Sequence, residues 1–103
     1  MLLKVAWVNR SADADALRRL MDVFARFEAD LPSVKAVQRE CWYIDADGGS
    51  GFSVYRVSDP DVAAAFVLES AVAFGEQLEL DCRPVLDMGS AVEAIGRGLA
   101  RLG

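Results

Sequence analysis

The sequence predicts an α+β fold in which strands and helices follow one another in the order β-α-β-β-α-β, with a further helix at the C-terminus. Three observations support this prediction: four β-rich stretches, two segments with apolar residues at helical spacing, and a glycine-rich turn between the second and third β-rich stretches. This order is that of the ferredoxin-like plan, an antiparallel four-stranded sheet with strand order 4-1-3-2 and both helices on one face. The length of 103 residues predicts one domain over residues 1–103.

The first strand is predicted at Leu2 to Asn9, where both alternating faces are largely apolar. A strand of this kind is typical of a central position, covered on two sides. The helix that follows is predicted to open at Ser11, whose hydroxyl caps free backbone N–H groups, and to end before Pro32. Its inner face is an apolar stripe formed by Leu17, Leu20, Met21, Phe24, Phe27 and Leu31.

The next two strands are predicted at residues 34–44 and 52–57, joined by the turn-forming residues 45–51. The aspartates and glycines of this loop superficially suggest a calcium or a phosphate loop. A calcium loop needs further oxygen ligands and a closing glutamate, and a phosphate loop needs Gly-Lys-Ser/Thr at the start of a helix. The sequence has neither, so a hairpin turn is the prediction.

The remaining elements are a helix, a strand and a terminal helix. Asp59 is placed at the cap of the second helix and Pro60 at its first position, where the missing N–H costs nothing. The fourth strand is predicted at residues 78–86. Ser90 and Glu93 form a capping-box pattern that predicts the start of the terminal helix.

In this plan the helices leave one sheet face bare. Because the first strand carries apolar residues on that face too, the sequence predicts a homodimer that packs sheet to sheet, a dimeric α+β barrel. Cys41 and Cys82 are placed on opposite edge strands, too far apart to bridge within one chain.

Composition excludes several classes of function. The chain is 53% hydrophobic with a formal net charge of −5, which argues against a nucleic-acid or anionic-membrane surface as its main partner. It contains no histidine, the commonest metal ligand and neutral-pH general base. We expect no metal site, no cofactor and no Ser-His-Asp triad. Neither a signal peptide nor a membrane span is predicted, so we expect a cytoplasmic protein with reduced thiols.

A set of short motifs in the second half of the chain resembles a known bacterial family. These are an aromatic pair before the glycine-rich hairpin, a Gly-Phe strand start, an Asp-Pro helix start and a Pro-Val-Leu-Asp strand end. They lie at Cys41-Trp42-Tyr43, Gly51-Phe52-Ser53-Val54-Tyr55, Ser58-Asp59-Pro60 and Glu79-Leu80-Asp81-Cys82-Arg83-Pro84-Val85-Leu86-Asp87. The chain resembles the uncharacterised family called domain of unknown function 3303, which is similar to the dimeric α+β barrel superfamily. That family tends to show histidine after the tryptophan; this chain has Tyr43, so no imidazole role carries over.

Two groups of side chains are candidates for a site. Aromatic residues are candidates for lining a ligand pocket, with core and interface packing as the alternative. Polar residues on the second, third and fourth strands are candidates for a charged barrel interior, with ion pairs at a solvated rim as the alternative. The aromatic group comprises Trp7, Trp42, Tyr43, Phe52 and Tyr55, and the polar group comprises Gln38, Glu40, Arg56, Asp81 and Arg83. Along the second strand, Gln38, Glu40 and Trp42 alternate and are predicted to share one face. The candidate ligand-binding residues are Trp7, Glu40, Trp42, Tyr55 and Arg56.

The main functional hypothesis is a small homodimeric binding or accessory module without demonstrated catalysis, possible ligands being apolar or aromatic. The alternative is a cofactor-independent monooxygenase, isomerase or cyclase that acts on an aromatic or polyketide-like substrate, an interpretation by analogy of fold. A third hypothesis is a haem-handling protein, which would need Tyr43, Tyr55 or a cysteine as axial ligand.

Overall fold

The computed structural model of the chain describes residues 1–11, 13–30 and 36–103. Its four strands are β1 (Leu2–Asn9), β2 (Val37–Ile44), β3 (Ser50–Val57) and β4 (Leu78–Val85), and its helices are α1 (Ala14–Asp30), α2 (Pro60–Phe74) and α3 (Met88–Leu102). The strands form one antiparallel sheet in the order β2-β3-β1-β4. The predicted ferredoxin-like α+β fold, with its additional C-terminal helix, is therefore confirmed.

The core lies between one face of the sheet and the helices α1 and α2. Alternation along β1 and β3 points Leu3 and Val5 toward the helices together with Tyr55 and Val57, and all four side chains are buried. The helices cover them with an aromatic cluster in which Phe27 packs edge-on against Phe66 and Phe74. Burial of these rings is the main stabilising contribution of this layer.

The helix starts differ from the predictions in two of three cases. Asp59 caps α2 as predicted, and its carboxylate accepts a hydrogen bond of 2.9 Å from the Val62 N–H. For α1 the cap is Asp13, which accepts from the Ala16 N–H at 2.8 Å, and Ser11 only donates to that carboxylate. Both residues are preferred cap types, and a carboxylate suits the positive end of the helix dipole.

The terminal helix α3 begins two residues before Ser90. Its cap is Asp87, whose carboxylate accepts from the Ser90 N–H at 2.9 Å, so the predicted capping box is wrong. That hydrogen bond from the backbone N–H lowers the pKa of Asp87, as the Ala16 N–H lowers the pKa of Asp13. Both carboxylates are therefore charged at neutral pH, as the caps require.

The hairpin between β2 and β3 is confirmed. Gly48 adopts a φ of 76°, the left-handed conformation that favours glycine in a turn, and its N–H donates to the Asp45 carbonyl at 2.9 Å. The Asp47 carboxylate accepts from the Gly49 N–H at 2.8 Å. The loop aspartates thus accept hydrogen bonds that stabilise the turn. The predicted end of α1 at Pro32 and the predicted start of β2 at Val34 lie outside the described residues.

The two cysteines lie on the edge strands, as predicted. Cys41 is on β2 and Cys82 on β4, and both are free thiols. Partial burial raises the pKa of the Cys82 thiol, and the neighbouring Asp81 carboxylate raises it further. The thiol is therefore protonated and a poor nucleophile near neutral pH.

Candidate ligand cavity

The site is a partly open cavity of about 380 Å³ between the sheet and the helices α1 and α2, and its lining includes the exposed side chains of Met21, Tyr43 and Ile44. Such a volume lies at the lower end of the roughly 300–1,000 Å³ range of small-molecule sites. The lining is mainly aliphatic and aromatic, with few polar side chains. The lining residues are Val5, Trp7, Leu20, Met21, Phe24, Phe27, Glu28, Trp42, Tyr43, Ile44, Ser53, Tyr55, Phe66, Ser70, Phe74, Leu78 and Leu80.

An irregularity in the edge strand β2 brings Trp42 into this cavity. Arg39 lies opposite Tyr55, but Cys41 lies opposite Val54, so Glu40 is an extra residue and the alternation of side chains shifts by one position. Beyond the bulge, Trp42 lies opposite the buried Ser53, on the helix side of the sheet. The prediction that Gln38, Glu40 and Trp42 share one face is therefore wrong at Trp42.

Trp42 closes the cavity on the β2 side. Its ring stacks on Phe24 of α1, with 4.7 Å between ring centroids and 17° between planes. Arg39 lies over the same indole ring, with its guanidinium carbon 4.1 Å from the centroid, and forms an ion pair with Glu28 of α1. Strand β2 is thus tied to α1 by one aromatic stack and one ion pair.

The charge of Arg39 is secured by its surroundings. Burial acts to lower its pKa, but the interactions of the guanidinium with the Tyr55 hydroxyl and the Glu28 carboxylate outweigh burial and raise it. Arg39 is therefore cationic at every accessible pH. Its buried Nε atom has no hydrogen-bond partner among the described residues. Glu28 and Arg39 were missed by the sequence analysis, because only tertiary packing brings an α1 residue against β2.

The floor of the cavity depends on Gly51. A Cβ atom at this position would lie 2.4 Å from Cζ2 of Trp7 and 2.5 Å from the Tyr43 carbonyl oxygen. Trp7 lies directly opposite Gly51 in the β1–β3 register. The missing side chain therefore lets the indole of Trp7 lie against β3, where it forms part of the lining.

The structure divides the five candidate ligand-binding residues between the two faces of the sheet. Trp7, Trp42 and Tyr55 line the cavity. Glu40 and Arg56 are exposed on the opposite face, where the Arg56 Nε donates to the Glu40 carboxylate at 2.6 Å. The structure thus separates these two charged residues from the aromatic group by the thickness of the sheet.

The other polar candidates also lie on the open face. Gln38, Asp81 and Arg83 are exposed, and the Arg83 Nε donates to the Asp81 carboxylate at 2.8 Å. These residues match the alternative of ion pairs at a solvated rim. In the described part of the chain, the carboxylate that lines the cavity is that of Glu28.

Two further features of the described residues concern other classes of site. They contain no cluster of three or more His, Cys, Asp or Glu side chains suited to a metal ion. Across residues 1–11, 13–30 and 36–103, the helices are too short or too polar to span a membrane.

These features define a small α+β protein with an apolar cavity between its sheet and its helices. The chain belongs to the family named Domain of unknown function (DUF3303), whose model matches residues 1–99. Among solved structures, the chain is similar to Rv0793 from Mycobacterium tuberculosis, at 16% sequence identity and a TM-score of 0.52, over 84% of this chain and 95% of that one. At this identity the likeness concerns the fold. A search of curated proteins finds no match.

Proposed function

We propose that this protein binds a small, largely apolar aromatic molecule in the cavity between the sheet and the helices α1 and α2. The single observation that carries the proposal is the cavity itself, about 380 Å³ of space lined by aromatic and aliphatic side chains. A partly open, mainly apolar concavity of this volume is the usual form of a small-molecule site, so it supports binding of an apolar ligand.

The distribution of charged groups supports binding rather than catalysis. A base acting on a bound molecule must reach it directly or through one water. Glu40 and Asp81, the two carboxylates among the polar candidates, lie on the other face of the sheet, and Glu28 at the cavity is ion-paired with Arg39. The described lining therefore offers a ligand mainly apolar contacts. The ion pair between Arg39 and Glu28 holds strand β2 against α1 at the edge of the cavity.

Naphthalene is a suitable test ligand, because Trp7 and Trp42 line the cavity and are the two tryptophans of the chain. We expect saturable quenching of tryptophan fluorescence with one naphthalene per chain. The variant Ser70→Leu extends a buried residue of α2 into the cavity and is expected to weaken binding by at least about 10-fold, or ~1.4 kcal/mol.

The matched control is Ala71→Leu, which adds the same side chain to the exposed side of the same helix. This variant is expected to bind naphthalene like the unmodified protein. Absence of saturable binding to the unmodified protein, or equal loss in both variants, would contradict the proposed function.

We further propose that the chain works as a homodimer through the open face of the sheet. Val8 and Phe52 are exposed large apolar residues on that face, and Leu2 and Val54 lie there half-buried. These four side chains lie among the charged residues of the open face, and an exposed apolar patch rimmed by polar residues is typical of an interface. The resemblance of the sequence motifs to a family similar to the dimeric α+β barrel superfamily supports the same arrangement.

The helix α3 gives independent support. None of its residues is buried, and its apolar side chains Val92, Ile95, Leu99 and Leu102 are exposed. A 15-residue helix containing Gly96 and Gly98 is marginal without tertiary packing. The radius of gyration is 16.0 Å, against about 13 Å for a compact chain of this length, so contact with a second chain would supply the missing packing.

Light scattering at micromolar concentration is expected to give about twice the chain mass of 11.2 kDa. Phe52→Glu removes an apolar side chain from the open face and is expected to give monomers, because a carboxylate buried in an interface loses its hydration even beside Lys4. Leu68→Glu, on the exposed side of α2, is the matched control and is expected to remain dimeric. A monomeric unmodified protein would overturn the proposal.

Single-domain organisation over residues 1–103 and a cytoplasmic location belong to the same proposal. The single four-stranded sheet and the one hydrophobic core of the described residues support one domain. The two free thiols support the cytoplasmic location, since an oxidising compartment favours paired cysteines.

A further inference from the structure

The hydroxyl group of Ser53 is a polar group inside an otherwise apolar part of the cavity. Ser53 lies on β3 between Val5 of β1 and Trp42 of β2, so its side chain stands at the centre of the cavity floor. The residue is only 2% exposed. Within the part of the chain that the structure describes, no hydrogen bond reaches its hydroxyl group.

The other buried polar groups of the lining are engaged. The Ser70 hydroxyl donates to the Phe66 carbonyl of the same helix at 2.7 Å. The Tyr55 hydroxyl interacts with the Arg39 guanidinium. Ser53 therefore differs from its neighbours, because its hydroxyl group lines the cavity and has no hydrogen-bond partner among the described residues.

A hydroxyl group at the floor of an apolar cavity needs a hydrogen-bond partner from whatever fills the cavity, because an apolar occupant would displace water from it without replacing the hydrogen bond. An alanine at this position would have no such requirement. Binding sites place a small number of polar groups in an apolar lining to orient a ligand. A bound molecule that offers a hydrogen-bonding atom to Ser53 would meet this requirement and gain orientation.

We propose that Ser53 selects aromatic ligands that carry a hydroxyl or ring carbonyl group, and that it forms a hydrogen bond with that group. The inference rests on the proposed function, since it names the ligand class of the same cavity. The ring contacts Trp7 or Trp42, and its polar substituent points down to the sheet. An aromatic hydrocarbon of the same size fits the space but leaves Ser53 unpaired.

The test compares naphthalene with 2-naphthol, which differs by one hydroxyl group. In the unmodified protein we expect 2-naphthol to bind about 3- to 10-fold more tightly than naphthalene, the range that one neutral hydrogen bond supports. In Ser53→Ala the ratio of the two dissociation constants is expected to fall to about one, because alanine cannot form a hydrogen bond with the hydroxyl group of 2-naphthol.

Ser70→Ala is the matched control, because it removes a hydroxyl group from the same cavity that is already bonded to the Phe66 carbonyl. It is expected to keep the preference for 2-naphthol. A preference that survives in Ser53→Ala would overturn the inference and leave the proposed function standing. Failure of both probes to bind the unmodified protein would overturn the proposed function. Far-UV circular dichroism and the urea unfolding midpoint, compared with those of the unmodified protein, show whether Ser53→Ala is folded.

Discussion

Replacing Phe66 with alanine is expected to lower the free energy of unfolding by about 3–5 kcal/mol, the cost of truncating a buried aromatic ring. Phe66 is 3% exposed and lies at the centre of the contact between α2 and the sheet. Its ring centroid is 4.9 Å from that of Tyr55 and 5.9 Å from that of Phe27, so one substitution removes contacts with both β3 and α1. Urea unfolding at one fixed protein concentration measures the change.

The matched control for this substitution is Leu68→Ala on the same helix. Leu68 is 66% exposed, so its truncation is expected to change the stability by less than about 0.5 kcal/mol. A Phe66→Ala variant as stable as the Leu68→Ala variant would show that the packing of α2 on the sheet differs from the structure described.

The second large effect is expected for Gly51→Ala, which should lower the free energy of unfolding by about 1–3 kcal/mol through overpacking. The added methyl group would meet both the Trp7 indole and the Tyr43 carbonyl oxygen, at 2.4 and 2.5 Å. A side chain can turn aside, but the carbonyl belongs to the β2 backbone, so the β2–β3 pairing must shift. We also expect a change in tryptophan emission, because Trp7 loses its place against β3.

Gly96→Ala supplies a control of opposite sign. A Cβ atom at Gly96 meets no atom within 4 Å, and alanine is favoured over glycine inside a helix by up to about 1 kcal/mol. This variant is expected to be slightly more stable than the unmodified protein. Equal effects of the two alanine substitutions would contradict the assigned role of Gly51.

Much of the fold follows from local patterns. The bounds of β1, the cap of α2 at Asp59 and Pro60 and the hairpin at Gly48 were all predictable, because each depends on residues adjacent in sequence. The two caps that were not predicted, Asp13 and Asp87, form by the same local hydrogen bond from a backbone N–H to a side-chain oxygen as the predicted cap Asp59. Serine and aspartate both cap helices, and only the path of the chain decides which of two neighbouring candidates is used.

The candidate site was predictable in part. The aromatic character of Trp7, Trp42 and Tyr55 indicated a pocket, and these side chains do line one cavity. Their separation from Glu40 and Arg56 was not predictable. The bulge at Glu40 reverses the facing of every later residue of β2, and a bulge arises from pairing with β3 rather than from the β2 sequence alone.

By itself, the sequence determined the order of the elements, the antiparallel sheet with its edge cysteines and the absence of histidine chemistry, because these depend on composition and short-range pattern. Only the tertiary structure decided which side chains share a space. The ion pair of Glu28 with Arg39, the fit of Trp7 against Gly51 and the burial of Ser53 each join residues from different elements. Such contacts are set by strand register and helix packing, which hydrophobic periodicity alone does not specify.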